Sequence, residues 1–205
     1  SRGLGDVYKR QVLIVIGGKY MSVKKHTQKI IEELSFFVDY ENDEELDQLV
    51  EVILTAKKIF LSGAGRSGVA IKGFTNRLLH LGLTVSLVGE ISCPRTTKGD
   101  LLILGSGSGT TPSLVALAKK AKKNGVTLAL LTMDKESEIA KLADVIVVLP
   151  GVSPKLKENN LTSIQPMGSA FEQISFLTYD GIILELMEKM GETGESMLER
   201  HTDME

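Results

Sequence analysis

Two segments rich in glycine and hydroxyl residues have the composition of phosphate-binding loops. Residues 63–68 fit the pattern G-x-G-x-x-G, and residues 105–111 place four hydroxyl residues among three glycines. Glycine lets the backbone approach a phosphate closely, and the start of a following helix offers free N–H groups with a partial positive charge. The first pattern also fits a dinucleotide, with Glu90 near the end of the next strand. The hydroxyls of the second loop suit a phosphate monoester, so the pair favours a small phosphorylated ligand over NAD.

Each loop follows a short aliphatic run that is typical of a strand buried on both faces. Five such runs occur, near residues 59–61, 85–88, 101–104, 128–131 and 145–149. Helical patterns lie between them at about 68–81, 112–124 and 137–142. The alternation predicts a three-layer α/β sandwich, with helices flanking a five-stranded parallel sheet in the flavodoxin-like order 2-1-3-4-5. In that order strands 1 and 3 are neighbours, so both loops line one crevice.

Further helices precede and follow this predicted core. Two are expected at about 23–40 and from Asn42-Asp43 onwards, and a long one covers about 167–190 after a polar loop at 150–166. The long helix is apolar nearly all round, yet packing on one sheet face buries a stripe only about 100° wide. We therefore expect a homo-oligomer, with a tetramer as the predicted state and sites near the subunit interfaces.

Composition excludes several classes of protein. The chain has 205 residues and a net charge of −2, so no basic excess points to nucleic acid. No apolar run approaches the roughly 20 residues of a membrane span. The single cysteine, Cys93, permits no intrachain disulfide and suggests a reducing, cytoplasmic location. Residues 1–20 are rich in glycine and carry a net positive charge, and they are predicted to be a non-native or disordered extension. Residues 21–205 are then a single domain with N-terminal helices and a C-terminal tail. The net charge of this domain is −5.

Five stretches carry a resemblance to a known family. They are residues 63–68, 77–82, 99–103, 105–109 and 164–173. Together they are similar to the sugar isomerase (SIS) domain family, and within it to the 6-phospho-3-hexuloisomerase branch. The likeness runs from about Met21 to the C-terminus, with residues 165–173 as its most specific part. One departure is Thr110, where relatives usually have a glutamate that is not part of the phosphate anchor.

The resemblance implies an isomerase of the ribulose monophosphate pathway. Its substrates would be D-arabino-hex-3-ulose 6-phosphate and D-fructose 6-phosphate. The carbonyl would move between C3 and C2 through an enediolate, which requires a phosphate anchor, a base and a proton donor. Neither a redox cofactor nor a metal is implied. No two of the histidines and Cys93 stand at metal-ligand spacing on one element.

The resemblance also implies roles for individual residues. The phosphate anchor falls on Ser67, Ser106, Gly107, Ser108 and Thr111. Glu172, at the start of the long helix, matches the base of related aldose–ketose isomerases. His201 matches a histidine near a neighbouring subunit's site and is the candidate acid for ring opening or proton shuttling. Apart from the resemblance, four further positions are expected to contact the substrate: Gly65, Arg66, Gln165 and Gln173. Arg66 could instead pair with a carboxylate across a subunit interface.

Plainer structural roles remain open for the same residues. The hydroxyls of the two loops could simply cap helices, and Glu172 could be a solvated carboxylate at a helix start. His80 fits a structural role at a helix end as well as a site role. The tail around His201 has little predicted fold to support it.

Three other functions compete with the leading one. Another SIS isomerase, such as an arabinose-5-phosphate isomerase, is disfavoured by residues 165–173. A non-catalytic sugar-phosphate sensor usually carries a helix-turn-helix domain, and no basic recognition helix occurs here. A Rossmann dehydrogenase needs a second catalytic region, for which the chain has little room.

Overall fold

The computed structural model of the chain describes residues 20–153 and 161–204. Residues 1–19, which make up nearly all of the predicted extension, lie outside the described residues, as do residues 154–160 of the polar loop. The five strands are β1 (Ile59–Gly63), β2 (Val85–Leu87), β3 (Leu101–Gly105), β4 (Thr127–Thr132) and β5 (Val145–Val148). The α-helices are α1 (Val23–Val38), α2 (Asp43–Thr55), α3 (Gly65–His80), α4 (Pro112–Lys123), α5 (Ser169–Met190) and α6 (Gly194–Leu198).

The strands form one parallel sheet in the order β2-β1-β3-β4-β5, which confirms the predicted α/β sandwich and its strand order. In the register between β1 and β3, Gly63 stands opposite Gly105. The two glycine-rich loops therefore leave the sheet side by side at its carboxyl edge. The change of crossover direction between β1 and β3 opens a crevice there.

Two apolar clusters hold the layers together, one on each face of the sheet. The larger contains side chains of α1, α2, α3 and α5, with Phe37, Phe74 and Phe171 among its buried members. The smaller lies under α4, where Leu114 and Ala118 pack against Phe60 and Leu104. The site thus stands at the end of a sheet whose central strands β3 and β4 are almost wholly buried.

The turn from β1 into α3 depends on two glycines. A Cβ on Gly68 would lie 2.8 Å from the carbonyl oxygen of Gly63, and a Cβ on Gly63 would lie 3.0 Å from the Cα of Gly68. Backbone therefore packs directly on backbone, which holds the start of α3 close to the end of β1. The first glycine loop is shaped by this contact as well as by any ligand.

Three elements differ from the sequence expectations. The helix expected at 137–142 is only a short 3₁₀ turn, Ala140–Leu142. The long helix begins at Ser169 because Met167 and Gly168 both have positive φ, 59° and 85°. The C-terminal tail was expected to lack support, but α6 packs Met197 into the main core and Arg200 pairs with Glu192. No helix among residues 20–153 and 161–204 is long and apolar enough to cross a membrane.

Candidate active site

A cavity of about 290 Å³ lies at the carboxyl edge of the sheet. The loops after β1 and β3 and the start of α5 contribute most of its wall. Its lining residues are Ala64, Ser67, Gly105, Ser106, Gly107, Ser108, Thr111, Leu114, Met133, Ser153, Met167, Gly168, Phe171 and Glu172. The structure thus brings all five predicted phosphate-anchor residues and the predicted base into one cavity.

Two helices begin at this cavity, and no side chain caps either of them. The residue before α3 is Ala64, which has no polar side chain, and the residue before α4 is Thr111, whose hydroxyl makes no capping bond. The first N–H groups of a helix have no acceptor within the helix. Together with the helix dipole they form a positive end that attracts an anion. For Thr111, the plainer reading as a side-chain helix cap does not hold.

The loop after β3 is fixed from the side of β4. The carbonyl oxygen of Gly107 accepts hydrogen bonds from the Thr132 hydroxyl (3.1 Å) and the Met133 N–H (3.0 Å). A Cβ on Gly107 would lie 2.7 Å from the Met133 methyl and 3.1 Å from the Phe171 ring. Any larger residue would push these two side chains out of place, so the loop requires glycine here.

The carboxylate at the cavity wall is paired with an arginine. Glu172 lies in the first turn of α5, and its Oε2 stands 2.5 Å from Nε of Arg66 in the first turn of α3. The Glu172 side chain is 19% exposed and that of Arg66 is 63% exposed. Glu172 therefore faces the cavity, while Arg66 holds it from the solvent side.

The remaining predicted contacts lie outside the cavity wall. Gly65, with φ of 57°, is the first residue of α3. Gln173 lines an adjoining apolar groove together with Arg66 and Phe176. The side-chain nitrogen of Gln165 donates to Glu33 at 3.0 Å. Their predicted roles toward a substrate stay predictions.

His201 stands far from the cavity of its own chain. Its ring lies 5.0 Å from the ring of His80, which is 2% exposed at the last residue of α3. The helix rise of about 1.5 Å per residue puts this end roughly 20 Å from Arg66. Arg200 anchors the segment by donating to the His80 carbonyl oxygen (2.9 Å) and to both carboxylate oxygens of Glu192. A catalytic role for His201 therefore needs a neighbouring subunit.

Sequence reasoning missed several lining residues. Met133 and Ser153 follow β4 and β5, so the rule that ligands bind at the carboxyl ends of parallel strands could have indicated both. The apolar members Met167 and Phe171 carry no signal of this kind. Within the described part of the chain, no group of three or more His, Cys, Asp or Glu side chains could hold a metal ion.

Comparisons with known proteins agree with this geometry. The model of the SIS domain family matches residues 52–175. A 3-hexulose-6-phosphate isomerase of Bacillus subtilis (strain 168) is 46% identical over 186 residues, which cover 90% of this chain and 100% of that protein. A protein of the same description from Mycobacterium gastri is 36% identical, over 79% of this chain and 81% of its own length.

A solved structure shows the same architecture. It is a Methanococcus jannaschii protein for which a molecular function of 3-hexulose-6-phosphate isomerase was inferred. It is 32% identical with a TM-score of 0.75, and the match covers 88% of this chain and 99% of that one. The matched family model spans both glycine loops and Glu172. The resemblance noted in the sequence is thereby confirmed, and the chain belongs to the SIS domain family.

Proposed function

We propose that the chain is an isomerase that interconverts D-arabino-hex-3-ulose 6-phosphate and D-fructose 6-phosphate. This proposal rests on one observation: a single cavity is lined by hydroxyl groups, by the N-termini of two helices and by a carboxylate that is paired with an arginine. The cavity of about 290 Å³ is near the lower limit of ligand sites, about 300–1,000 Å³, which suits one sugar phosphate better than a dinucleotide. Relatives described as 3-hexulose-6-phosphate isomerases, aligned over nearly their full length, support this choice of substrate.

In this proposal the phosphate binds between the two glycine loops. Ser67, Ser106, Ser108 and Thr111 donate hydroxyl hydrogen bonds, and the N–H groups around Gly107 and at the starts of α3 and α4 complete the anchor. Hydrogen bonds to a charged group contribute about 1.5–3 kcal/mol each. An acidic chain can bind an anion in this way because the positive ends are local to the site.

Glu172 then acts as the base. Starting from fructose 6-phosphate, its carboxylate takes the proton from C3, and the electron pair of that bond forms the C2=C3 enediolate. A proton moves from the oxygen on C3 to the oxygen on C2, the carbonyl forms at C3, and Glu172 returns its proton to C2. The electrons balance within the sugar. Arg66 orients the carboxylate and offers positive charge beside it, and Gly65, Gln165 and Gln173 remain proposed substrate contacts.

The proposal includes a homo-oligomer, with a tetramer as its expected form. Large apolar side chains are exposed on α1, α3 and α5: Ile31, Phe36, Val69, Leu79, Phe176, Leu177 and Leu184. An apolar groove lined by Val69, Phe176 and Leu177 also touches Arg66 and Glu172. A second subunit seated there reaches the site, and in this arrangement His201 of a neighbour serves as the acid.

The proposed setting is cytoplasmic metabolism, without nucleic acid or membrane partners. Residues 21–205 form the domain that carries the proposed activity.

Isotope exchange tests the reaction directly. The protein is incubated with fructose 6-phosphate in deuterated water, and the sugar is followed by NMR. We expect deuterium at C3 of fructose 6-phosphate and the appearance of the 3-hexulose 6-phosphate. A folded protein that binds the sugar phosphate but neither exchanges hydrogen nor forms the 3-hexulose 6-phosphate would contradict the isomerase and favour a sensor. Exchange with arabinose 5-phosphate alone would favour the other isomerase.

A further inference from the structure

One glutamate on α1 binds the segment that leads into α5. Glu33 Oε1 accepts a hydrogen bond from the N–H of Ile164 (3.0 Å), and Glu33 Oε2 accepts one from the side-chain nitrogen of Gln165 (3.0 Å). Both carboxylate oxygens are thus used on two consecutive residues. We call residues 163–168 the strap.

The rest of the strap is bonded within itself and to α5. The Gln165 N–H donates to the Ser163 hydroxyl (3.0 Å), and the Ser169 hydroxyl and N–H both donate to the Pro166 carbonyl oxygen (2.8 and 3.0 Å). Between these anchors, Met167 has a φ of 59°, which a bulky residue rarely adopts. Met167 is 79% exposed, so packing does not hold this conformation. The hydrogen bonds on either side must do so.

The strained corner of the strap lies at the cavity. Met167 and Gly168 both line it, and Gly168 immediately precedes α5. The Glu172 N–H donates to the Gly168 carbonyl oxygen at 3.4 Å. The position of the strap therefore determines where α5 begins and where its first turn carries the Glu172 carboxylate.

We propose that Glu33 is a positioning residue, which holds the strap and so places the Glu172 carboxylate against Arg66 and the cavity. Glu33 is not among the residues that line the cavity, and it acts through the backbone of residues 164–168. The part of this proposal that concerns catalysis rests on the proposed function of Glu172. It assigns Gln165 an additional role, because its side chain connects α1 to the strap.

The activity test compares three variants of the full chain. Glu33→Ala removes both acceptors, and we expect kcat for fructose 6-phosphate to fall at least tenfold while KM changes less than threefold, because the phosphate loops are untouched. Glu33→Gln keeps an oxygen that accepts from the Ile164 N–H. Its new NH₂ group can donate to the Gln165 side-chain oxygen once the Gln165 amide has rotated, so we expect kcat within threefold of the original. Glu32→Ala, the matched change at the exposed neighbour on α1, is expected to leave both constants unchanged.

A second measurement does not depend on activity. Hydrogen–deuterium exchange at the amides of residues 164–172 should quicken in Glu33→Ala, with the exchange of β1 and β3 unchanged, and should stay close to the original in Glu33→Gln and Glu32→Ala. Original exchange rates in Glu33→Ala, or a kcat within twofold of the original, would overturn the proposal. If the unaltered protein does not isomerise the sugar, the proposed function fails, and the exchange rates still decide whether Glu33 holds the strap.

Discussion

The two edges of the sheet use polar residues in opposite ways. At the amino edge, the buried Asp100 accepts from the Thr97 N–H (2.7 Å) and hydroxyl (3.1 Å) and lies 3.4 Å from the Lys58 ammonium, which itself donates to the Arg95 carbonyl oxygen (2.9 Å). At the carboxyl edge, the hydroxyls of the glycine loops line a cavity. At the amino edge, Asp100 is paired through its Oδ2 atom with Thr97 and Lys58, whereas the hydroxyls at the carboxyl edge are arranged around a space.

Polar residues at the amino edge are therefore expected to contribute to stability, and those at the carboxyl edge to ligand binding. A buried polar group that is paired within the chain stabilises the fold, and its loss leaves the partner unsatisfied. A polar group that faces a cavity is available for a ligand, so its loss weakens binding and costs the fold little. Substitutions at the two edges should therefore move different measurements.

The largest effect is expected at the carboxyl edge. Glu172→Gln removes the proposed base and keeps the side-chain size, so the isomerisation rate should fall by about 10²–10⁴, the usual contribution of a placed acid–base group. The far-ultraviolet circular dichroism spectrum should be unchanged. Glu188→Gln, the same change at an exposed position of α5, is the control and should keep the rate. If Glu172→Gln kept more than half of the rate, Glu172 would not be the base.

A smaller effect is expected at the amino edge, and it should appear in the free energy of unfolding rather than in the reaction rate. Asp100→Ala leaves the Thr97 N–H without its acceptor and Lys58 without its carboxylate partner, and the free energy of unfolding should fall by about 2–3 kcal/mol. This loss is smaller than the loss expected on breaking a fully buried ion pair. Lys58 is partly exposed, and the Asp100 Oδ1 atom has no hydrogen-bond partner to lose.

Urea unfolding gives this free energy, and kcat/KM below the unfolding transition should remain within twofold. Asp47→Ala, at an exposed position of α2, serves as the control. A loss of activity in Asp100→Ala without a loss of stability would contradict the separation of the two edges.

Ser106→Ala should produce a third, more modest effect. Ser106 is nearly buried at the cavity wall, and the loss of one hydrogen bond to phosphate should raise KM about tenfold, or roughly 1.4 kcal/mol. The free energy of unfolding should change by less than about 0.5 kcal/mol. Ser86→Ala on β2, outside the cavity lining, is the comparison. An unfolding midpoint that drops as far as in Asp100→Ala would show that Ser106 belongs with the structural pairs.

The smallest effect concerns a carboxylate at neither edge. Burial raises the pKa of Glu41, the Thr178 hydroxyl that donates to it (2.8 Å) lowers it, and nearby Asp43 raises it further. Because the pKa is raised on folding, the contribution of Glu41 to stability is fully present below the ordinary value of about 4.5 and is lost as pH rises through the folded-state pKa. Glu41→Gln keeps the acceptor without the charge, so its melting temperature should exceed the original by a degree or two at pH 7 and match it below pH 4.

The sequence predicted the sheet and the cavity because both follow from local patterns. Aliphatic runs mark buried parallel strands, and the glycine–hydroxyl loops must meet at the carboxyl edge once β1 and β3 are neighbours. The start of α5 was predicted two residues too early, because the segment before Ser169 turns through a positive φ at Met167 and donates hydrogen bonds to Glu33, about 130 positions away in the chain. The support for the tail was missed for the same reason, since Arg200 finds Glu192 and the His80 carbonyl oxygen only in the folded chain. Contacts between residues that are far apart in the chain produce no local sequence pattern from which they could be predicted.

The bare starts of α3 and α4 also have a practical consequence for anyone who handles this protein. Ala64 and Thr111 leave the first N–H groups of two neighbouring helices for an anion to satisfy. An anion that binds only the folded chain adds RT ln(1 + [L]/Kd) to its stability. Storage and crystallisation buffers are therefore not neutral choices. If the proposed phosphate anchor is correct, a phosphate or sulfate buffer competes with the substrate in assays, and KM measured in phosphate should exceed KM measured in a zwitterionic buffer.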